Sequence, residues 1–366
     1  MARISPFTLS ARRYDMNLKR PAGTSRGILH NKTTYFICLE SQGKMYWGEA
    51  GVFPNLSPEA GPDYEQKLKK LITRANNNQQ FPSASESQHL PSVAFALEQI
   101  ERGLSGAYIV GKHSFCTYDT PFNQSKTGIP INGLIWMGDA AFMQEQIDDK
   151  LAQGFSCLKM KIGAIDWAKE IKLLREIRSK YSAEILTLRV DANGAFLPSE
   201  ALSKLEELSR LDIHSIEQPI RKGQWEAMAT LCKRSPIPIA LDEELIGITR
   251  LEDKRHLLHT IQPDYLIFKP TLLGGFKSCE EWIHLAKPLS INYWPTSALE
   301  SNLGLHAIAQ WAGQLDLSIP QGLGTGGMYI DNITTPLEIK GEKLWLRDAL
   351  SWNSQQFDSI YASPSV

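Results

Sequence analysis

The stretch CLKMKIG, residues 157–163, ends an apolar run with two lysines, Lys159 and Lys161. Four later stretches have the same form, a β-prone apolar run that ends in charged residues: LTLRVDANG (186–194), HSIEQPI (214–220), PIALDEE (238–244) and DYLIFKP (264–270). Such runs are typical of strands that are buried in a parallel sheet. A charge at the end of a buried strand is costly without a partner or a function, so these residues are the first candidates for a site.

The surrounding pattern predicts that these strands belong to a parallel α/β barrel. From about residue 129 onward, strand-like and helix-like runs alternate with short connections. Eight strand candidates begin near Ile131, Ser156, Leu186, His214, Ile237, Tyr265, Ile291 and Ser318. The charged residues lie at the C-terminal ends of their strands, where a barrel carries its catalytic groups and where an open sheet has its ligand crevice. Five consecutive strands with polar ends favour the barrel.

The N-terminal part predicts a small α+β domain that reaches to about residue 115. Two β-rich runs, TTYFICLES (33–41) and KMYWGEAG (44–51), are followed by two helical patterns, YEQKLKKLITRA (64–75) and PSVAFALEQIERGLSG (91–106). The segment NLKRPAGTSRG (17–27) contains glycine, proline and basic residues, and we expect a flexible flap over an anionic substrate. Arg20 and Arg26 are its candidate contacts, and a plain solvated loop is the alternative.

Composition limits the classes of partner. A chain of 366 residues suits about two domains. The net charge of −1 gives no attraction to phosphate backbones, so nucleic acid is not an expected partner. The five cysteines show no CxxC spacing, which favours a reducing compartment. No signal peptide or membrane span is recognisable, and we expect a cytoplasmic protein without a membrane partner.

Three carboxylates, those of Asp191, Glu217 and Asp242, end neighbouring strand candidates and would meet at one point of a barrel rim. Three anions at close range repel each other unless a cation joins them. Oxygen ligands suit a hard ion such as Mg²⁺, which keeps positions open for a substrate oxygen. The alternative is that each carboxylate caps a helix or pairs with a lysine.

Lys159 and Lys161 lie two residues apart on one strand, so their side chains point to the same face. Lys269 follows a strand three positions later and would approach from the opposite side. A lysine that acts as a base near neutral pH needs a lowered pKa, which a metal ion, a second ammonium group and partial burial can each supply. These conditions favour Lys161 as the base. A solvated strand end or an ion pair is the alternative.

In their order along the chain, Lys-x-Lys, Asp-x-Asn, Glu-Gln-Pro, Asp-Glu and a further Lys resemble the enolase superfamily, in its muconate-lactonizing subgroup. The resemblance covers nearly the whole chain. It implies an α/β fold with an α+β capping domain (1–115), a modified (β/α)7β TIM-like barrel (116–325) and a C-terminal segment that returns to the cap (326–366). In this superfamily a lysine or histidine base acts together with Mg²⁺, which stabilises an enediolate.

The same resemblance implies a role for each charged residue. The Mg²⁺ ligands, with Mn²⁺ as an alternative ion, would be Asp191, Glu217 and Asp242. Lys161 would remove the proton α to a carboxylate, Lys269 would act on the opposite face, and Lys159 would be the partner of the base.

Within the subgroup, two late segments resemble the o-succinylbenzoate synthases of menaquinone synthesis: PTSALESNLGLHAIAQW (295–311) and QGLGTGGMYIDN (321–332). This resemblance implies the Mg²⁺-dependent syn dehydration of 2-succinyl-6-hydroxy-2,4-cyclohexadiene-1-carboxylate to 2-succinylbenzoate. It also implies contacts to this small carboxylate substrate from Ser297, Gly322 and Gly324. Asn193 of the Asp-x-Asn motif and Arg26 of the segment 17–27 are further candidate contacts.

Other activities remain open at this point. N-acylamino-acid racemases and dipeptide epimerases of the same subgroup use the same two lysines. Epimerases, however, favour Asp-x-Asp on the last strand, where this chain has Gly-Leu-Gly at 322–324. Muconate cycloisomerase is a further alternative. A non-catalytic barrel would be expected to lose one of the lysines or acids, and all are present. The oligomeric state is not readable from the sequence.

Overall fold

The computed structural model describes residues 6–24, 27–105 and 108–366. The N-terminal part is a five-stranded sheet with the strand order β1-β2-β3-β5-β4, covered by helices. Its elements are β1 (Thr8–Thr24), β2 (Gly27–Ser41), β3 (Lys44–Gly51), α1 (Tyr64–Asn78), α2 (Ala84–Ser87), α3 (Pro91–Ser105), β4 (Tyr108–Val110) and β5 (His113–Phe115). The buried apolar faces of α1 and α3 pack on this sheet and form the core of the cap.

The second part alternates strands and helices around a parallel sheet. Its elements are β6 (Ile129–Pro130), β7 (Gly133–Ile135), α4 (Ala140–Ala152), β8 (Cys157–Lys161), α5 (Trp167–Lys180), β9 (Thr187–Asp191), α6 (Pro198–Ser209), β10 (Ser215–Glu217), α7 (Trp225–Arg234), β11 (Ile239–Leu241), α8 (Leu251–Ile261), β12 (Tyr265–Phe268), α9 (Pro270–Leu273), α10 (Phe276–Ala286), β13 (Asn292–Pro295) and α11 (Asn302–Gln314), with short 3₁₀ helices at Glu243–Leu245 and Lys287–Leu289. Strands β7 to β13 form one sheet in sequential order, and every pairing in it is parallel.

The eighth position of the ring is occupied by a very short bridging segment. Gln321 bridges to Ile131 beside the first strand of the ring, and Gly322 bridges to Thr296 beside the last. These two bridges close the sheet into a barrel and confirm the predicted barrel class. The predicted eighth strand near Ser318 is reduced to this pair of bridges, because proline and glycine on either side of Gln321 shorten the extended segment.

The C-terminal part consists of β14 (Leu337–Lys340), β15 (Lys343–Leu346) and α12 (Ser354–Ala362). Strand β15 pairs with β6 at the barrel, whereas α12 packs on the cap sheet. The ring of Phe357 lies 5.2 Å from Trp47 and 4.9 Å from Phe115. Among the described residues, no helix has the length and apolar character needed to cross a membrane.

Residues 17–24 form a strand where the sequence predicted a loop, and a role as a flap over the substrate stays a prediction. Strand β1 continues to Thr24 after an irregularity between Asn17 and Ala22, and its backbone bridges to Tyr329 and Met137 of the barrel side. The glycine, proline and basic residues predicted a loop, but long-range strand pairing overrides these local signals. Arg20 is exposed and contacts Glu145 at 3.3 Å. Arg26 lies outside the described residues.

Candidate active site

Three acidic side chains share the inside of the barrel at its C-terminal rim. Asp191 ends β9 and Glu217 ends β10, and the two are register partners. Glu217 also pairs with Ala240, and Asp242 lies two residues later, so its side chain points to the same face. Each of the three is at most 3% exposed. The strand order therefore brings together the three predicted ligands.

Three lysines lie among these acids. Lys159 Nζ is 2.9 Å from Asp191 Oδ2 and also contacts Glu217. Lys161 Nζ donates to Asp191 Oδ2 at 3.0 Å and to Asn193 Oδ1 at 2.7 Å. Lys269 contacts Asp242. Because β8 and β12 are the second and sixth of eight positions in the ring, Lys161 and Lys269 enter the mouth of the barrel from opposite sides.

For Lys159, Lys269 and Asp191, burial and the neighbouring charges shift the pKa in opposite directions. Burial lowers the pKa of Lys159, but the charges of Asp191 and Glu217 outweigh it and raise that pKa. The pKa of Lys269 is raised in the same way, chiefly by Asp242 against the effect of burial. Burial raises the pKa of Asp191, but the lysines outweigh it and leave that pKa lowered. Burial and the neighbouring Asp191 raise the pKa of Glu217. A lowered pKa is thus not found at Lys159 or Lys269.

The chemistry of this donor set fits a hard cation. The Oε1 atom of Glu217 is buried and has no hydrogen-bond partner among the described residues, and carboxylate oxygens are the ligands that Mg²⁺ prefers. Within residues 6–24, 27–105 and 108–366, no three acidic, histidine or cysteine side chains are already arranged as a metal cluster. Lys159 lies against Asp191 and Glu217, and Lys269 lies against Asp242. A bound cation would have to replace some of these contacts.

Asp191 and the three lysines open into one cavity beneath the cap. Its lining includes the predicted residues Lys159, Lys161, Asp191, Asn193, Lys269, Ser297, Gly322 and Gly324. Glu217 and Asp242 lie beside it without lining it. A larger groove exists between α2, α3 and α10, but it contains none of these residues, so the chemistry points to the smaller cavity.

Several lining residues were not predicted from the sequence. They are Phe53, Leu56, Asn132, Leu134, Trp136, Glu243, Thr296, Ala298, Leu299 and Thr325. The alternation of Asn132, Leu134 and Trp136 around β7 would have placed these three on one face. Phe53 and Leu56 belong to the cap, and no sequence motif around them indicates that they line a site. Trp294, which directly precedes the segment 295–311, does not line the cavity. The guanidinium group of Arg189 lies 4.1 Å from its ring.

Residues 296–299 and 322–325, which follow the seventh and eighth positions of the ring, form one wall of the cavity. This wall is closely packed. Ser297 N donates to Gly322 O at 3.0 Å, and the hydroxyl groups of Ser297 and Thr325 lie 2.6 Å apart. A Cβ atom at Gly322 would lie 1.9 Å from the Thr296 hydroxyl oxygen and 2.6 Å from Thr296 Cβ. Residue 322 therefore has no room for a side chain in this arrangement.

Comparison with known proteins agrees with this geometry. Residues 142–348 match the family described as enolase C-terminal domain-like. An o-succinylbenzoate synthase from Desulfotalea psychrophila is 44% identical, over 92% of this chain and 98% of that relative. The crystal structure of MenC from the same organism superposes with a TM-score of 0.80 at 40% identity and covers 93% of this chain and 100% of that chain. An L-Ala-D/L-amino acid epimerase from Maribacter is 25% identical, over 84% of this chain and 88% of that relative.

The family match covers more than half of the chain, and its residues include every acid and lysine of the cluster. The order of these residues on successive barrel strands, their convergence in one cavity and the sequence match lead to the same assignment. This chain is a member of the enolase superfamily, within the enolase C-terminal domain-like family.

Proposed function

We propose that this chain catalyses the o-succinylbenzoate synthase reaction, the syn dehydration of 2-succinyl-6-hydroxy-2,4-cyclohexadiene-1-carboxylate to 2-succinylbenzoate. The observation that carries the proposal is the pair of lysines, Lys161 and Lys269, on opposite sides of one cavity that is also lined by Asp191. The relative at 44% identity, which this chain matches over nearly its full length, has the same activity by name. The reaction is that of a hydro-lyase.

In this proposal, Lys161 transfers a proton and Lys269 stabilises a negative charge on the substrate. Lys161 removes the proton at C1 of the substrate, the carbon that bears the ring carboxylate, and hydroxide leaves from C6 as the ring becomes aromatic. Lys269 faces the substrate from the other side, and its ammonium group stabilises the developing negative charge. Lys159 contacts Asp191 and Glu217 and offsets part of the repulsion between these carboxylates.

Mg²⁺ is the cofactor that the family and the donor set favour. Asp191, Glu217 and Asp242 would hold it. When bound, it would supply positive charge to the substrate carboxylate, whose neighbouring proton is otherwise only weakly acidic. Mn²⁺ prefers similar ligands and is the expected substitute.

Asn193, Ser297 and the backbone at Gly322 and Gly324 are the proposed substrate contacts. Ser297 and the two glycines form the wall described above, and Asn193 Nδ2 donates to Glu243 at 3.0 Å, which orients its amide. The absence of space at residue 322 also argues against an epimerase, since an aspartate there would overlap Thr296. A cytoplasmic location, a small carboxylate as the substrate, and the exclusion of nucleic acid and membrane as partners remain predictions.

A spectrophotometric assay tests the proposal. The purified protein is mixed with the diene substrate and Mg²⁺, and the loss of diene absorbance is followed before and after addition of a chelator. Turnover that stops with the chelator, with 2-succinylbenzoate as the product by NMR, would support the synthase. Deuterium exchange at Cα of a dipeptide in D₂O, without loss of the diene, would instead identify an epimerase.

A further inference from the structure

A buried lysine of the cap, Lys32, donates hydrogen bonds to the backbone of the cavity wall. Lys32 belongs to β2 and is 2% exposed. Its ammonium group donates to Ala298 O at 2.9 Å and to Leu299 O at 2.8 Å. Ala298 and Leu299 line the cavity, but Lys32 does not. Lys32 is therefore one layer behind the surface that a substrate would touch.

The cap provides space and countercharge for this ammonium group. A Cβ atom at Gly51 would lie 2.9 Å from Lys32 Nζ, so the glycine leaves room for the lysine. Burial lowers the pKa of Lys32, and the neighbouring carboxylates Glu300 and Glu49 oppose this shift. Glu300 accepts from Ala298 N at 2.7 Å, and Glu49 accepts from Ser301 N at 2.9 Å. Both carboxylates thus hold the same short segment as the lysine.

The segment held in this way has an unusual backbone. Leu299 has φ = 57°, a conformation that is costly for a residue with a side chain. Its carbonyl accepts from two groups, the Lys32 ammonium and the Tyr329 hydroxyl, the latter at 2.7 Å. Two donors on one carbonyl oxygen fix the orientation of the peptide that follows it, and they explain how the strained conformation persists.

The orientation of the peptide between Ala298 and Leu299 has a chemical consequence. In a trans peptide the C=O and N–H groups point in opposite directions. Because Ala298 O points toward Lys32, the N–H of Leu299 points away from Lys32, and both Ala298 and Leu299 line the cavity. This N–H has no hydrogen-bond acceptor among the described residues. A cation on the carbonyl also polarises the amide and strengthens its N–H as a donor.

We propose that Lys32 is a positioning residue that orients the Leu299 N–H as a donor to the side-chain carboxylate of the substrate. The inference rests on the proposed function, because that carboxylate is the succinyl group of the diene. It adds a residue of the capping domain to the substrate-binding wall, although that residue never touches the substrate. Lys32 thereby couples the seating of the cap on the barrel to substrate affinity.

The variant Lys32→Met removes the charge and keeps most of the side-chain length. We expect KM for the diene to rise about tenfold or more, with kcat changed less than about threefold, because a hydrogen bond to a charged group is lost from substrate binding. Affinity for 2-succinylbenzoate should fall by a similar factor, whereas affinity for benzoate, which lacks the side carboxylate, should change less than about twofold. Kinetics and calorimetry measure these quantities.

Lys254→Met is the matched control. Lys254 is also fully buried, and its ammonium group donates to Ser278 and Glu281, away from the cavity. This variant should lower the thermal midpoint and leave KM unchanged. If Lys32→Met does not fold, Lys32→Gln carries the test, because the shorter neutral amide removes the charge and the simultaneous reach to Ala298 O and Leu299 O while keeping a polar group in the buried site. It should raise KM by roughly threefold to tenfold.

The outcomes separate the two claims. Turnover by the unmodified protein together with an unchanged KM in Lys32→Met, or in Lys32→Gln where that variant replaces it, would overturn the role of Lys32 and leave the proposed function intact. Equal losses of affinity for 2-succinylbenzoate and benzoate would also overturn it, since general damage to the cavity would explain them. An unmodified protein with no turnover would overturn the proposed function, and this inference with it.

Discussion

At the residue scale, the contacts of Asp242 make the clearest prediction about the metal. This carboxylate is buried and its one described ion pair is with Lys269. Asp242→Asn removes the negative charge and one of the two oxygen atoms that could bind the ion. The Mg²⁺ concentration for half-maximal activity should therefore rise by at least about tenfold, since loss of even the outer hydrogen-bond partners of a metal ligand costs about 10- to 100-fold in affinity. A Mg²⁺ titration of the rate measures this. Asp358→Asn, at an exposed ion pair with Lys112, is the control, and an equal shift in both variants would contradict the assignment.

The charged residues of the site could be predicted from the sequence because each one ends an apolar run. Asp191 and Glu217 carry their own signal, since a buried strand rarely ends in an acid without a reason. The hydrophobic lining could not be predicted in this way. Phe53 and Leu56 reach the cavity only through the placement of the cap, and Lys32 lies in a strand whose sequence gives no sign of its distant carbonyl partners.

At the element scale, the eighth position of the barrel depends on a glycine. A side chain at Gly322 would collide with Thr296, its bridge partner. Gly322→Ala should therefore displace the wall and lower kcat/KM by about tenfold to a hundredfold, because misplacement by about 1 Å can cost that much. Steady-state kinetics with the diene test this.

Gly327→Ala is the matched control for this element. A Cβ atom at Gly327 would meet no atom within 4 Å, so its kcat/KM should stay within about twofold of the unmodified protein, as for other surface substitutions. Wild-type kinetics in Gly322→Ala would show that the wall tolerates a side chain at this point, and would remove the steric argument against an epimerase.

Helices and strands could be predicted from the sequence where the spacing of apolar residues within a single element indicates its type. Strands β8 to β12 and the helices between them follow directly from apolar spacing. The long strand β1 was not predicted, because its extension past Asn17 depends on pairing with β2 and on backbone bridges to Tyr329 and Met137. Glycine and proline in residues 21–27 indicate a turn, and sequence alone does not show which tertiary contacts extend a strand.

At the scale of the whole molecule, Glu98 joins the cap to the barrel. It belongs to α3, and its carboxylate accepts from the backbone N–H groups of Phe276 and Lys277 at the start of α10. Burial raises its pKa to about 7 from an ordinary value of 4.5. The folded protein therefore binds more protons than the unfolded chain between these values. Its stability should fall as the pH rises through this window.

The variant Glu98→Gln tests this at the level of global stability. Glutamine can still accept the two N–H groups but does not titrate. Between pH 5 and pH 8, the free energy of unfolding of the unmodified protein should fall relative to that of Glu98→Gln by about 1 to 3 kcal/mol. Denaturant titrations at both pH values measure the difference. Parallel pH profiles for the two proteins would contradict the prediction.

The sequence predicted the contact between the cap and the barrel less well than any other part of the architecture. Lys32, Glu49 and Glu98 all cross it, and each binds backbone groups more than 170 positions away. The two parts were predictable separately, because each has its own period of apolar residues. Their relative placement depends on buried polar contacts with no local pattern, and this placement completes the cavity.

The measurement that tests the central claim most directly is the dehydration rate of Lys161→Ala, at saturating Mg²⁺ and with metal binding measured on the same sample. Loss of a general base should lower the rate by about 10² to 10⁴-fold while metal is still bound, and Lys269→Ala should also lose the reaction because the opposing ammonium group is removed. A near-normal rate in Lys161→Ala with Mg²⁺ bound would contradict the account, since proton removal would then depend on another group.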